Sequence, residues 1–217
     1  MKMPSAKAKI SGLTLIEVLL VLVVIVFLAA LLFPAHSRAH IGNESSCVNH
    51  LKEIDFGFQM WAEDNGGVFP WQNSNTNGGT MEYAVKGYAA PNFQILSNFV
   101  KRPERFICPA DKVKLTAADY THFNNQNVSY FANADAGSNN PLHSILAGDR
   151  NLQANGQSVK PGLFELTTNL DMSWTHELHL GRGCLAFADG HVEIVTSNGL
   201  NSIVQNQPLA TNRLCIP

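Results

Sequence analysis

The sequence predicts an α+β protein: a long N-terminal helix, transmembrane in its first half and amphipathic in its second, packed on a small antiparallel β-sheet head. Three observations predict it. Residues 13–33 form an apolar run with a single charge, Glu17. Beyond it, Val48, Leu51, Ile54, Phe58 and Trp61 recur three and four residues apart, the spacing of one helix face. Near the C-terminus, two alternating apolar runs flank Asp189-Gly190, a hairpin signature.

The apolar run comes first in the chain. Its 21 residues would extend about 31 Å as a helix, enough to cross a hydrocarbon core. Lys2, Lys7 and Lys9 precede it with no acid among them, which predicts a cytoplasmic N-terminus and a head on the far side of the membrane. A secretory signal peptide would have a shorter apolar core followed by a small-residue cleavage site. Here Phe33-Pro34-Ala35-His36 instead runs on into a helical pattern. A plain anchor would leave Glu17 unexplained, because a carboxylate among apolar residues in a bilayer is costly unless it has a partner or reaches the headgroups.

The residues Lys9-Ile10-Ser11-Gly12 followed by Leu13-Thr14-Leu15-Ile16-Glu17-Val18-Leu19-Leu20 resemble the processing site of type IV prepilins and of type II secretion pseudopilins, the major subunits included. The resemblance implies cleavage between Gly12 and Leu13 by a prepilin peptidase, which also methylates the new N-terminal Leu13. It further implies a helix-kinking role for Pro34. Glu17 would neutralise the Leu13 amine of a neighbouring subunit during assembly. Implied partners are the peptidase, other pilin-like subunits in a homopolymer, and an inner-membrane secretion platform. The implied location is the bacterial inner membrane, single-pass, with a periplasmic head.

Composition narrows the function classes. The 217 residues suffice for one substantial domain plus an anchor. Charged residues make up only 15%, against roughly a quarter in ordinary soluble domains. The net charge is −2, and no basic patch follows the leader lysines, so non-specific nucleic-acid binding is not expected.

The chain divides by pattern into a basic leader (1–12), the apolar helix (13–33), its amphipathic continuation (34–65) and an exported head (66–217). Lys52, Glu53, Asp55 and Glu63 are expected on faces of the helix away from the apolar stripe. Asn65-Gly66-Gly67 and then Pro70 stop it. Residues 66–79 read as an exposed loop. A short helix is expected at 92–100, a strand or buried turn at 105–109, and strands at 128–132 and 144–147. Asp189-Gly190 predicts a type I′ turn between the strands of 184–195. The Asn- and Gln-rich segment from Thr196 is expected to wrap the surface. His179, nine intervening residues and then Asp189-Gly190 resemble the H-x9-DG pattern of a prepilin-type processing-associated family, whose members also tend to carry an early cysteine and a mid-chain Cys-Pro, as Cys47 and Cys108-Pro109 do here.

Other constellations carry less. His176-Glu177-Leu178-His179 has the wrong histidine spacing for a zincin helix. No nucleophile elbow, phosphate loop or dinucleotide fingerprint occurs, so no enzyme is expected. Trp71 and Trp174 sit among polar residues and could be exposed. Four cysteines in an exported protein allow three disulfide pairings; Cys47–Cys108 with Cys184–Cys215 is favoured, with buried free thiols as the alternative. No cofactor is required. Calcium is the candidate ion if Asp149 and Asp189 both end parallel strands and meet, because Ca²⁺ takes oxygen ligands. The expected function is a pseudopilin-like structural subunit of a type II secretion filament. The alternatives are a minor pilin of a surface fibre and an anchored ligand- or glycan-binding module.

Overall fold

The computed structural model describes residues 14–137, 144–209 and 211–217, with the side chains of residues 30–42 outside that description. Gly12 and Leu13 therefore lie outside the described residues, as does the side chain of Pro34. The chain divides into two units, Met1–Ala39 and His40–Pro217.

Helix α1 spans Leu15–Asp64. Its start is a reciprocal capping box. The Thr14 N–H and hydroxyl donate to Glu17 Oε2 at 2.7 and 2.8 Å, and the Glu17 N–H returns a bond to Thr14 Oγ1 at 3.4 Å. Each side chain satisfies a backbone or hydroxyl donor that the first turn leaves open.

The expected transmembrane half is corrected. Among the described residues no helix is long and apolar enough to cross a membrane. The described apolar side chains of the first unit occupy residues 15–29, about 22 Å of helix against a hydrocarbon core of about 30 Å. The single-pass membrane location expected from residues 13–33 is withdrawn with it.

In the second unit the amphipathic half of α1 lies on a sheet. Cys47, Leu51, Ile54, Phe58 and Trp61 are buried at spacings of four, three, four and three, a stripe one residue off the expected one at its start. Asn65 and then Gly66 and Gly67, both at positive φ, end the helix. Phe58 sits within an aromatic cluster, 5.0 Å from Trp71, 5.8 Å from Phe93 and 6.4 Å from Phe69 between ring centres. Trp71 is therefore core, and its Nε1 donates to the Ala136 carbonyl at 2.7 Å. The expected exposed loop at 66–79 instead holds two short 3-10 turns, Pro70–Gln72 and Asn75–Asn77, the first of them buried at Pro70 and Trp71. Two short helices follow, α2 (Met81–Ala84) and α3 (Ala90–Gln94), the latter continued by a 3-10 turn, Ile95–Asn98.

The head is larger than the small sheet expected. Among the described residues its strands are β1 (Tyr130–Asn133), β2 (Ile145–Asp149), β3 (Leu152–Ala154), β4 (Gln157–Ser158), β5 (Gly162–Thr167), β6 (Met172–Trp174), β7 (Arg182–Phe187), β8 (Val192–Thr196) and β9 (Thr211–Ile216). They form a six-stranded sheet ordered β5-β9-β1-β2-β7-β8 and a three-stranded sheet ordered β4-β3-β6. Helix α4 (Ser197–Gln205) lies between β8 and β9 in sequence, its first turn capped by Thr196 Oγ1 accepting from the Gly199 N–H. The segment expected to wrap the surface thus ends in a strand inserted between β5 and β1.

The two faces of the large sheet carry different side chains. Toward α1, cross-strand partners Ala132, Ala147 and Ala186 make a row of small residues, which leaves room for the helix to approach. The opposite face presents Phe131, Ile145, Leu185 and Phe187 to Leu152, Met172, Trp174, Leu200 and Val204 of the small sheet and α4. Gly148 is required by this packing: a Cβ there would sit 2.6 Å from Leu185 Cδ2 and 2.9 Å from Phe131 Cε1.

The hairpin differs in turn type. Only Gly190 takes a positive φ, 91°, and its N–H donates to the Phe187 carbonyl at 2.9 Å. A type I′ turn needs two left-handed residues; this connection needs one, as in the longer hairpin loops built on a type I turn.

Candidate functional site

One row beyond the alanines, the same face of the sheet carries Tyr130 opposite Asp149, with Cys184 beside it on β7. Above the row stands Cys47 of α1. Its thiol donates to Asp149 Oδ1 at 3.1 Å and lies 3.4 Å from the Tyr130 hydroxyl. The backbone N–H of Cys184 donates to the other carboxylate oxygen, Oδ2, at 2.7 Å. From the loop before β7, His179 brings Nε2 to 3.5 Å from Asp149 Oδ2 and 3.2 Å from Cys108 Sγ. Donor atoms of Cys47, Asp149, His179 and Cys184 all lie within 4.8 Å of one another. Every member, Cys108 included, is buried.

Local structure explains how each side chain arrives. Cys47 begins the buried stripe of α1. Cys108 follows a 3-10 turn, Pro103–Phe106, in the buried segment 106–108, which the sequence had left open between strand and turn. Asp149 ends β2, where the small Gly148 admits its neighbours. His179 precedes Leu180 and Gly181, both left-handed at φ 54° and 82°, a reversal that delivers the chain into β7. Leu180 bears a Cβ in a region that favours glycine, and strain of this kind gathers beside functional sites.

Ion pairs hold these elements around the cluster. The Arg150 guanidinium donates to both oxygens of buried Asp111, at 2.7 and 2.8 Å, and also to Glu177. Asp111 accepts a further bond from the Ser129 hydroxyl at 2.9 Å. That network joins the Cys108 loop, the end of β2 and the His179 loop. Arg182 donates to buried Glu44 at 2.6 Å, tying the start of β7 to α1. His50 Nδ1 meets the Ile107 carbonyl at 2.9 Å, tying α1 to the Cys108 loop.

The electrostatics follow from burial and proximity. The Cys47 thiol beside it, and then His179, bring Cys108 down to about 5 against the effect of burial. Burial raises Cys47 well above the usual thiol range, and the same cause lifts Asp149 to about 7. Burial opposes charge on His179, yet its bonds to Cys108 and the nearby Asp149 carry it upward. Cys108 and His179 thus form a hydrogen-bonded pair in which each favours the charged form of the other. Such a pair is nucleophilic in an open cleft, but the 0% exposure of Cys108 gives a substrate no access. What the set can do is bind a small ion or exchange protons and electrons internally.

The sequence-expected residues separate. Asp149 and Asp189 do not meet: β2 and β7 run antiparallel, with Gly148 opposite Leu185 and Ile145 opposite Phe187. The two carboxylates therefore sit at opposite ends of the strand pair, and the parallel arrangement needed for a shared calcium site is absent. Asp189 accepts from His191 Nδ1 at 2.6 Å and from the His191 N–H at 3.2 Å, at the hairpin turn with Gly190. His179 contacts the Cys108 and Asp149 side chains in the core. All four cysteines are free. Cys184–Cys215 is excluded by topology, since β7 and β9 are three strand spacings apart, about 14 Å, and a disulfide needs Cα atoms within about 7 Å. Cys215 instead donates to the Ala84 carbonyl at 3.4 Å. Cys47 and Cys108 do lie together, but without a bond between them. Trp174 is buried like Trp71, which removes both from a glycan-binding surface. Glu17 is exposed at the helix start.

Asp111, Tyr130 and Arg150 were not anticipated. Arg150 lies just beyond the strand expected at 144–147 and directly after Asp149, a placement that could have suggested a partner for a buried acid. Tyr130 carried no signal beyond its strand. Family models, curated proteins and solved structures give no match to the chain, so its own residues carry the functional reading.

Proposed function

We propose that the chain is a structural subunit of a pilus-like filament, processed after Gly12 and assembled through the apolar N-terminal part of α1. The supporting observation is that helical stretch itself. Leu15, Ile16, Val26 and Phe27 are 85, 71, 67 and 63% exposed, and the large apolar residues between them are exposed as well. A helix apolar on every side is stable only when something covers it. The occupant proposed is the same segment of neighbouring copies, which suits a polymer because each copy supplies and receives an identical surface. The prepilin-like residues around Gly12 point the same way, by resemblance.

Glu17 supplies the test, because within one chain it already has a capping role. Glu17→Gln retains an acceptor for the Thr14 donors and removes the charge. Co-expression with a prepilin peptidase is expected to give a chain starting at N-methylated Leu13, by N-terminal mass spectrometry. Glu17→Gln is expected to be cut normally, keep its helix content and lose filaments in electron micrographs. An intact Met1, or unchanged filament yield in the variant, overturns the proposal.

A further inference from the structure

We propose that Cys47, Cys108, Cys184 and His179 form a structural Zn²⁺ site in the head, with Asp149 as the outer group that orients it. The proposal is independent of the filament reading, since it rests on the second unit alone.

The donor set selects the ion. Three sulfurs and one imidazole nitrogen are a soft, thiolate-rich set of the kind that closes tetrahedral zinc centres. Calcium would need six to eight oxygens, and the cluster offers one carboxylate. The Cys108 sulfur and His179 Nε2 are 3.2 Å apart. Ligands on a tetrahedral zinc, at about 2.3 Å for sulfur and 2.0 Å for nitrogen, stand about 3.5 Å from one another. That pair already stands near the tetrahedral spacing, and the ligand atoms of Cys47, Cys184 and His179 lie within 4.8 Å of one another. Asp149 is already engaged, accepting the Cys184 N–H at 2.7 Å through Oδ2, the oxygen that also faces His179. That oxygen faces the nitrogen that would bind the ion, so Asp149 orients the site through the Cys184 backbone it holds, beside a ligand.

Burial supplies the second reason. Three thiols, an imidazole and a carboxylate packed together without solvent make a costly interior unless their charges are compensated. A divalent cation offsets two thiolate charges at once. It would also join α1, the Cys108 loop, the His179 loop and β7 at one point, so metal binding becomes part of the folding free energy of the head.

The full-length chain, purified under reducing conditions with zinc present, is expected to retain one Zn²⁺ per chain by elemental analysis. Co²⁺ added to the metal-free chain is expected to give the visible bands of a tetrahedral site and sulfur-to-metal charge transfer from three thiolates. Cys215→Ser, remote from the cluster, is expected to leave both readouts unchanged, and Cys47→Ser to abolish them. Asp149→Asn is expected to weaken Co²⁺ binding 10- to 100-fold with the spectrum preserved. Should Cys47→Ser fail to fold, the Co²⁺ spectrum of the unaltered chain decides. No retained metal, a spectrum without thiolate bands, or a Cys47–Cys108 disulfide in the chain isolated without reductant overturns the site.

Discussion

Asp55 shows how far one residue can depart from its helical pattern. On α1 it falls off the apolar stripe and was expected on an outer face, yet it is only 4% exposed. It lies beneath the hairpin turn, where Gln59 on the same helix also donates to the Ala188 carbonyl at 3.2 Å. Its Oδ1 has no hydrogen-bond partner among the described residues. Burial raises it to about 7; Gln59 and the His191 side chain oppose that rise, and the Asp189 charge adds to it. The folded chain therefore binds the Asp55 proton more tightly than the unfolded chain, whose ordinary value is 3.8. Stability from this group is full below about pH 4 and is lost as pH rises toward 7. Asp55→Asn removes the charge, so chemical denaturation should show a flatter pH profile, with a gain on the order of a few kcal/mol at pH 8 relative to pH 4. Parallel profiles for the two chains would mean that Asp55 is solvated in solution.

At the scale of elements, Arg150 decides whether the loops around the buried cluster hold their places. Its guanidinium is the shared partner of Asp111 after Cys108-Pro109 and of Glu177 just before His179. The Asp111 side chain is 0% exposed, so removing the arginine strands a buried carboxylate. Arg150→Ala should cost about 3 kcal/mol or more, the usual penalty for breaking one side of a buried pair. Double replacement with Asp111→Asn should recover part of it, because the stranded charge goes too. Urea denaturation of the single and double variants checks both outcomes, and a loss under about 1 kcal/mol in the single variant would show the pair to be solvated.

For the whole molecule, the last strand closes the head. β9 pairs along its length with β5, from Gly162–Ile216 to Thr167–Thr211, and on its other side with β1. Asn133 Nδ2 donates to Asn212 Oδ1 at 3.0 Å, a buried amide pair that fixes the seam. A chain ending at Gln207 would leave β5 unpaired and expose an edge of β1, an invitation to aggregation. Such a truncation should give no cooperative thermal transition in calorimetry; a cooperative melt near that of the full chain would show that β9 is an addition to a head already closed without it.

Local patterns already determined several parts of this protein. The three-and-four spacing marks the buried face of α1, Asn65-Gly66-Gly67 marks its end, and Asp189-Gly190 marks the β7–β8 hairpin. The Thr14-x-x-Glu17 capping box was also present to be read. Periodicity and turn chemistry report on residues within one element, which is why these signals survive in a bare sequence. The central place of β9 was not legible, because Leu214, Cys215 and Ile216 after the polar Thr211, Asn212 and Arg213 resemble a surface tail until β5 and β1 flank them. Nor was the cluster. The bonds from Cys47 to Asp149 and from Cys108 to His179 cross 102 and 71 residues, so no spacing encodes them. Sequence supplied the soft donors one at a time; only the docking of α1 on the sheet, allowed by its row of alanines, brought them together, because burial and long-range contact are properties of the folded chain.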